Sequence, residues 1–243
     1  MADIGRGAVA EAIGTFALVF VGGGAIAAWT AGYFGPGPTD IVAIALAHGL
    51  TIAALVTALG HVSGGQFNPA VTFGLLVGRR IDPKTALVYG LSQLIGAALA
   101  GIILVTIFTK AQVASATPDL NAGSETLQAV SSTTGIIIEA ILTFFLVFVV
   151  FGTIDKRNSA RIGGLAIGLT VTLDILMGGP LTGAAMNPAR WFGTAVASSH
   201  YANWFVYWIG PLVGGLLAGV LYGYYFDPNE PDAVEKARAT GKA

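Results

Sequence analysis

The 243-residue chain has little of what a soluble enzyme needs. It has no cysteine, 3 histidines and only 10% charged residues, whereas a soluble domain has about a quarter of its residues charged. The lack of cysteine excludes disulfides, thiolate nucleophiles and cysteine-ligated metals. A formal net charge of −1 supplies no electrostatic attraction for phosphates, so no nucleic-acid partner is expected.

Apolar residues make up more than half of the chain. Hydrophobic residues make up 54% of the chain, and the mean hydropathy is +0.74. Apolar runs of roughly 20 residues recur, which is the length that a helix needs to cross a ~30 Å hydrocarbon core. The sequence therefore predicts an all-α integral membrane protein that crosses the lipid bilayer several times. The predicted spans are residues 8–31, 41–60, 84–108, 134–154, 162–179 and 203–226.

The basic residues predict how the spans are oriented. An even number of spans places both termini on one side of the membrane. Most basic residues fall on that side, namely Arg6, Arg79, Arg80, Lys84, Lys156, Arg157, Arg161, Lys236, Arg238 and Lys242. Only Lys110 falls in a loop on the other side. Because lysine and arginine are enriched in cytoplasmic loops, both termini are predicted to be cytoplasmic, including a tail at 227–243.

The sequence repeats itself. The stretch "GLTIAALVTALGHVSGGQFNPAVTFG" from Gly49 aligns without a gap with "GLTVTLDILMGGPLTGAAMNPARWFG" from Gly168. The two repeats cover residues 8–108 and 134–226, with three predicted spans each. Because three is odd, the second repeat must enter from the opposite face, which gives an inverted-topology repeat. We expect one membrane domain over 1–243.

Each repeat contains one broken apolar loop. The tripeptide Asn-Pro-Ala occurs as Asn68, Pro69 and Ala70 and again as Asn187, Pro188 and Ala189. Asparagine is a good helix N-cap, and proline suits the first helical position. The loops thus predict short helices at 69–78 and 188–198, each about half as long as a span.

Two half-helices that enter from opposite faces would bring their N-termini together near the middle of the membrane. Each N-terminus carries roughly half a positive elementary charge, which opposes cations and protons. The side chains of Asn68 and Asn187 could also donate N–H groups to a passing oxygen. Irregular backbone at that depth is tolerated only where protein covers it or water lines it.

These features resemble the aquaporin, or major intrinsic protein, family. The resemblance rests on the paired Asn-Pro-Ala loops, on Glu11 and Glu139 at equivalent positions, and on the inverted repeat, and it covers residues 8–226. It implies an hourglass fold of six tilted transmembrane helices and two re-entrant half-helices. It further implies a channel for water that excludes protons and ions, a homotetramer with one pore per subunit, and no cofactor.

The resemblance also implies a selectivity filter near the outer mouth. Alignment assigns it to His48, Ile175, Ala184 and Arg190. Arg190 has no twin, because its equivalent in the first repeat is Val71. This filter is similar to that of plant tonoplast intrinsic proteins. Since Ile175 replaces a usual histidine, ammonia, urea or hydrogen peroxide are expected to pass with water.

Two alternatives stay open. Glycerol facilitators place tryptophan at the position of His48 and aspartate after the arginine, where this chain has Trp191. The stretch "GPLTGAAMNPAR" nevertheless resembles their second loop, so a glycerol-type channel is the first alternative. An ion-coupled transporter also uses inverted repeats and broken helices. It would need a coupling site near the midplane, where these loops supply amides.

Several polar residues lie within the apolar segments. A carboxylate in a membrane suggests ion transport, but the resemblance favours Glu11, Glu139 and Gln93 as buried partners of the loop N–H groups. Asp174, beside the filter, is expected to face protein and form a hydrogen bond, or else to line the outer vestibule.

The remaining histidines indicate neither a metal site nor an enzyme. His61 and His200 are predicted to lie near opposite mouths, without a carboxylate cluster at either, so no metal site is expected. They are interpreted as ordinary loop residues rather than pH sensors. The sequence shows no nucleophile with a partnering base and acid and no phosphate-binding loop, so no enzymatic activity is expected.

Overall fold

The protein folds into a bundle of apolar helices, seen in a computed structural model that describes residues 4–35, 40–121, 123, 128–155 and 162–226. In chain order the helices are α1 (Ile4–Thr30), α2 (Ile41–Ser63), α3 (Pro69–Val77), α4 (Pro83–Ile107), α5 (Lys110–Ser115), α6 (Ser132–Ile154), α7 (Gly163–Thr182), α8 (Pro188–Ser198) and α9 (Val206–Phe226). Within these described ranges, six helices (α1, α2, α4, α6, α7 and α9) are long and apolar enough to cross a membrane.

The six predicted spans are confirmed, with shifted ends. The expected end of the fifth span at residue 179 was wrong, because α7 continues through Pro180 and ends where Gly183 turns to a φ of 77°. The expected start of the sixth span at residue 203 was also wrong. Asn203 has a φ of 52°, outside the helical region, and α9 begins only at Val206.

Some predictions lie outside the described residues. They concern the basic residues of the loop at 156–161 and the tail at 227–243. Of the basic residues expected to be cytoplasmic, the structure describes Arg6, Arg79, Arg80 and Lys84. The short helix α5 was not predicted from sequence. The helix begins with a capping box, in which the side chains of Thr109 and Gln112 accept hydrogen bonds from each other's backbone N–H groups.

The two repeats meet where glycines let backbones touch. Gly49 of α2 and Gly168 of α7 are equivalent residues of the repeat, and a methyl group on either would overlap the other's carbonyl oxygen. Helices in lipid associate through such close contacts of small residues, since no hydrophobic effect acts between them there. The α2–α7 crossing therefore lies on the pseudo-two-fold axis of the inverted repeat.

Each half-helix packs against the last span of the other repeat. Gly74 of α3 approaches the backbone of Gly215 in α9, and Gly193 of α8 approaches the backbone of Ala97 in α4. This exchange holds both half-helices inside the bundle. The predicted fold class, six spans with two re-entrant half-helices in an inverted repeat, is confirmed.

Candidate pore

Both half-helices begin as the sequence predicts. Pro69 and Pro188 occupy the first turn, after an extended asparagine. The Oδ1 of Asn68 accepts a hydrogen bond from the N–H of Ala70 at 2.8 Å, and the Oδ1 of Asn187 accepts one from Ala189 at 2.9 Å. The caps satisfy N–H groups that a helix N-terminus otherwise leaves unpaired.

The amide nitrogens of these asparagines reach across to the opposite loop. The Nδ2 of Asn68 donates to the carbonyl of Met186 at 2.8 Å, and the Nδ2 of Asn187 donates to the carbonyl of Phe67 at 2.9 Å. A primary amide has two N–H donors. Each asparagine thus keeps one N–H beyond the bond that joins the two loops, and both asparagines line the same cavity.

Glu11 is completely buried and anchors the first loop. Its Oε1 accepts hydrogen bonds from the hydroxyl of Ser63 at 2.6 Å and the N–H of Gln66 at 2.9 Å. Its Oε2 accepts from the N–H of Phe67 at 2.6 Å and the Nε2 of Gln93 at 2.7 Å. Four donors therefore surround this carboxylate. Gln66 and Phe67 lie in the segment between α2 and α3, and Ser63 is the last residue of α2.

Glu139 does the same in the second repeat and is also completely buried. Its Oε1 accepts from the hydroxyl of Thr182 at 2.7 Å and the N–H of Ala185 at 2.9 Å, and its Oε2 accepts from the N–H of Met186 at 2.7 Å. The position equivalent to Gln93 is Pro211, which has no donor. The glutamates thus bind matching loop atoms, with one donor fewer in the second repeat.

A narrow lumen runs past the half-helix N-termini. Its free volume is only about 30 Å³, and a single water already needs roughly 10–15 Å³. Its wall is mostly apolar, and the residues expected in the filter and at the asparagine pair all border it. They are His48, Asn68, Ile175, Ala184, Asn187 and Arg190.

A wider vestibule adjoins this lumen. Its free volume is about 450 Å³, and it is lined by residues of α1, α2, α7 and the 115–119 segment. Ile175 and Arg190 border both cavities. The narrowing from vestibule to lumen therefore occurs at these two side chains.

Arg190 and His48 contact each other in this narrowing. Both are almost fully buried, at 5% and 1% exposure, and the Nε of Arg190 lies 3.3 Å from the Nε2 of His48. Because a guanidinium only donates, this ring nitrogen must accept, and the ring proton then lies on Nδ1. From there it is donated to the carbonyl of Ile44 at 2.9 Å. Arg190 Nη1 is buried and has no hydrogen-bonding partner among the residues described.

Two residues near the filter lie away from the lumen. Trp191 is buried and stacks on Tyr207, with ring centroids 6.0 Å apart and planes 12° from parallel. Asp174 is buried in α7 at 6% exposure, and it borders neither described cavity. The expected hydrogen bond is missing at its Oδ2, which has no partner in the described part of the chain. Neither Trp191 nor Asp174 is therefore in a position to contact a solute in these two cavities.

His200 has a carboxylate partner that the sequence did not reveal. Its Nε2 lies 2.9 Å from the Oδ2 of Asp119, while Asn203 donates to the Oδ1 at 2.8 Å. Burial acts to raise the pKa of Asp119, but the bonds from Asn203 and His200 outweigh it and lower that pKa below its usual value. Over the described ranges, no three metal-ligating side chains come together.

A membrane bundle in which two half-helices meet along one narrow lumen defines a channel. Residues 2–222 match the family described as Major intrinsic protein, and the chain belongs to this family. The predicted family is thus confirmed, and with it the expectation of a channel rather than an enzyme.

Individual relatives agree with this assignment. The chain is 45% identical over 239 residues to the probable aquaporin TIP3-2 of Arabidopsis thaliana, covering 93% of this chain and 86% of that protein. It is 39% identical over 239 residues to the lens fiber major intrinsic protein of Oryctolagus cuniculus, covering 97% of this chain and 86% of that protein. The expected resemblance to plant TIP proteins is confirmed.

A solved structure has the same fold. The X-ray structure of the aquaglyceroporin from Plasmodium falciparum matches with a TM-score of 0.77 at 24% identity. The match covers 93% of this chain and 98% of that one.

Proposed function

We propose that the chain is a passive channel that conducts water and small neutral solutes such as ammonia, urea and hydrogen peroxide. The observation that carries this proposal is the shared lumen of Asn68, Asn187 and Arg190, whose free volume is about 30 Å³. Water can accept from the remaining asparagine N–H groups and from the guanidinium. The rest of the wall is mostly apolar and offers few hydrogen-bonding groups. The solute therefore moves along the row of polar groups formed by Asn68, Asn187 and Arg190.

The same groups would exclude ions and protons. Two helix N-termini and a guanidinium place positive charge along the lumen, which repels cations. A water that accepts from both asparagines would point its own hydrogens away from the centre. That orientation interrupts a chain of hydrogen bonds along which a proton could move.

Flux measurements on proteoliposomes test this function. Purified protein should accelerate osmotic shrinkage in stopped-flow light scattering, without saturation and without dependence on any ion. Ammonia and urea gradients on the same vesicles should also relax faster than in empty vesicles. Vesicles that shrink no faster than protein-free ones would disprove the channel.

A glycerol-conducting channel is the second candidate. It is favoured by Ile175, which makes one wall of the filter apolar where it meets the vestibule. The contact between Arg190 and His48 argues for water, because two large side chains occupy the narrowing. A glycerol flux comparable to the water flux in the same vesicles would reverse this preference.

Ion coupling is disfavoured by the glutamates. A coupling carboxylate must bind and release an ion, but the oxygens of Glu11 and Glu139 are occupied by loop donors at 2.6–2.9 Å. We therefore assign Glu11, Glu139 and Gln93 to holding the half-helices in place. Dependence of the flux on a sodium or proton gradient would contradict this.

The proposal extends to the whole chain. Residues 1–243 would form a single channel domain with repeats at 8–108 and 134–226. Both termini would lie in the cytoplasm, which the basic residues Arg79 and Arg80 after α3 support. Four copies would associate, each with its own pore, through apolar span residues exposed on the subunit, such as Leu91 and Ile95. Protease accessibility of tagged termini tests the orientation, and native mass spectrometry tests the tetramer.

A further inference from the structure

Gly22 of α1 lies directly behind the ring of His48. A methyl group added to Gly22 would overlap the Cδ2 and Nε2 atoms of that ring. The missing side chain therefore makes the space in which the imidazole sits. Gly22 itself is buried and borders neither described cavity, so it is not part of the filter by direct contact.

The path of α1 brings Gly22 to this position. The inward-facing side of α1 carries residues at intervals of four. Leu18 borders the lumen, Ile26 and Thr30 border the vestibule, and Gly14 and Gly22 lie against Phe67 and His48. In an α-helix of 3.6 residues per turn, residues four positions apart point in directions that differ by about 40° around the helix axis. The segment Leu18–Gly23 is π-helical, and its wider i→i+5 turn offsets part of this difference in direction. π-Helical turns occur frequently at functional sites.

The ring of His48 cannot retreat without losing its contacts. Its Nδ1 lies 2.9 Å from the carbonyl of Ile44, and its Nε2 accepts from Arg190 at 3.3 Å. The free space next to the ring is the lumen that His48 lines. A larger residue at position 22 would thus push the ring away from α1 into that space and separate it from Arg190.

We propose that Gly22 is a positioning residue for selectivity: its missing side chain fixes how far the His48 ring projects into the lumen. This inference rests on the proposed channel function and on the role of His48 in it. It adds α1 to the elements that determine the width of the filter. The expected consequence is that a single methyl group, outside the lumen, changes conduction through it.

The matched experiment compares Gly22→Ala with Gly24→Ala. A methyl group on Gly24 would meet only the Cδ2 of Leu104, at 3.3 Å, and both substitutions exchange a helical glycine of α1 for alanine. Each is combined with His48→Ala, and water and urea permeabilities are measured in proteoliposomes and normalised to the amount of channel.

Gly22→Ala should lower the water permeability about tenfold, the change produced by about 1.4 kcal/mol of added barrier, while Gly24→Ala stays near wild type. In the His48→Ala background, Gly22→Ala should have no further effect, because the overlapping ring is gone. If Gly22→Ala reduces the yield of folded channel, His48→Ala should restore the yield as well.

Three results separate the possible failures. Equal permeabilities of Gly22→Ala and Gly24→Ala would overturn the positioning role. A loss in Gly22→Ala that His48→Ala does not relieve would overturn it too, since the effect would not pass through the ring. A wild-type protein without water flux would instead disprove the proposed function.

Discussion

Phe67 and Met186 form the same two hydrogen bonds at equivalent places in the two repeats. Each donates its backbone N–H to a buried glutamate, at 2.6 Å and 2.7 Å. Each also accepts, on its carbonyl, the amide of the asparagine in the opposite loop, at 2.9 Å and 2.8 Å. Both residues have positive φ, 49° and 51°, which is unfavourable for residues other than glycine.

This arrangement links the glutamates to the lumen. The N–H bond fixes the residue before the asparagine, and the carbonyl bond fixes the asparagine across the midplane. The strained backbone is thus held from both sides, as such conformations require. Substitutions at either end of this chain of bonds should affect conduction as well as stability.

Asn187→Asp should increase leakage of cations and protons. The carboxylate keeps an oxygen to cap α8 but replaces the Nδ2 that binds the carbonyl of Phe67 at 2.9 Å. A negative charge then stands where the helix N-termini place positive charge. Proton flux after a pH jump, followed with a dye trapped in proteoliposomes, measures the effect. Asn68→Asp should behave alike, and an unchanged proton flux in both would contradict the role of the asparagines.

Glu139→Gln should destabilise the second loop. One carboxylate oxygen becomes an NH2 group, which cannot accept from the backbone N–H of Ala185 or Met186. A buried donor left without a hydrogen-bonding partner costs about 1–3 kcal/mol. For a chain of this size, each kcal/mol lowers the melting temperature by roughly 2–4 °C. Thermal unfolding in detergent measures the change. Glu11→Gln is the matched variant in the first repeat, and melting temperatures equal to wild type would refute the anchoring role.

Replacing the filter pair should widen the narrowing. Arg190→Val removes the guanidinium and His48→Ala removes the ring that contacts it at 3.3 Å. The double variant should admit neutral solutes larger than water faster than wild type, and cation leakage should rise because a positive charge is lost. Stopped-flow traces with glycerol and urea check this. Solute selectivity identical to wild type would show that the filter lies elsewhere.

Asp174→Asn should stabilise the protein without changing water flux. The Oδ2 of Asp174 is buried and has no partner in the described ranges, and an unpaired buried polar group costs on the order of 1–3 kcal/mol, more when charged. The neutral isostere removes the added cost of the charge, while its amide keeps one group without a partner. Its melting temperature should exceed that of wild type. A lower melting temperature, or a changed flux, would indicate that the carboxylate has a role.

Asp119→Ala should destabilise the loop between α5 and α6 in a pH-dependent way. The lowered pKa of Asp119 means that its ionised form stabilises the fold above the ordinary carboxyl pKa of about 3.9. That contribution is lost as the pH falls through the lower value of the folded state. Since the side chains of Asp119 and His200 are about a third exposed, at 34% and 36%, we expect at most about 1 kcal/mol.

Melting curves of wild type and Asp119→Ala test this at several pH values. The difference between the two proteins should be largest near neutral pH and should shrink in strong acid. Asp119→Asn keeps oxygen and shape but loses the charge, so it should fall between them. A difference that is constant with pH would exclude the ionised carboxylate as its source.

The fold was largely predictable from the sequence because lipid imposes simple conditions on it. Only a long apolar helix satisfies its backbone in hydrocarbon, so the six spans follow from hydropathy. The half-helix α8 was predicted at 188–198 and is found at Pro188–Ser198, since asparagine and proline mark its first residues by local chemistry. The glutamates could be suspected for a similar reason, as carboxylates in an apolar run.

Other features depend on contacts between distant residues. The pairing of His200 with Asp119, the cross-loop bonds of Asn68 and Asn187, and the contact of Gly22 with His48 all join segments far apart in sequence. No local pattern marks them.

The sequence by itself determined the membrane spans, the inverted repeat and the family, because each depends on local composition or on motif spacing. The tertiary structure alone decided three features: which carbonyl each asparagine amide binds, which nitrogen of His48 carries the proton, and which glycine makes room for its ring. Those outcomes follow from side-chain packing and hydrogen-bond geometry. The asparagine bonds and the Arg190–His48 contact join residues more than a hundred positions apart, whereas Gly22 and His48 meet within one repeat.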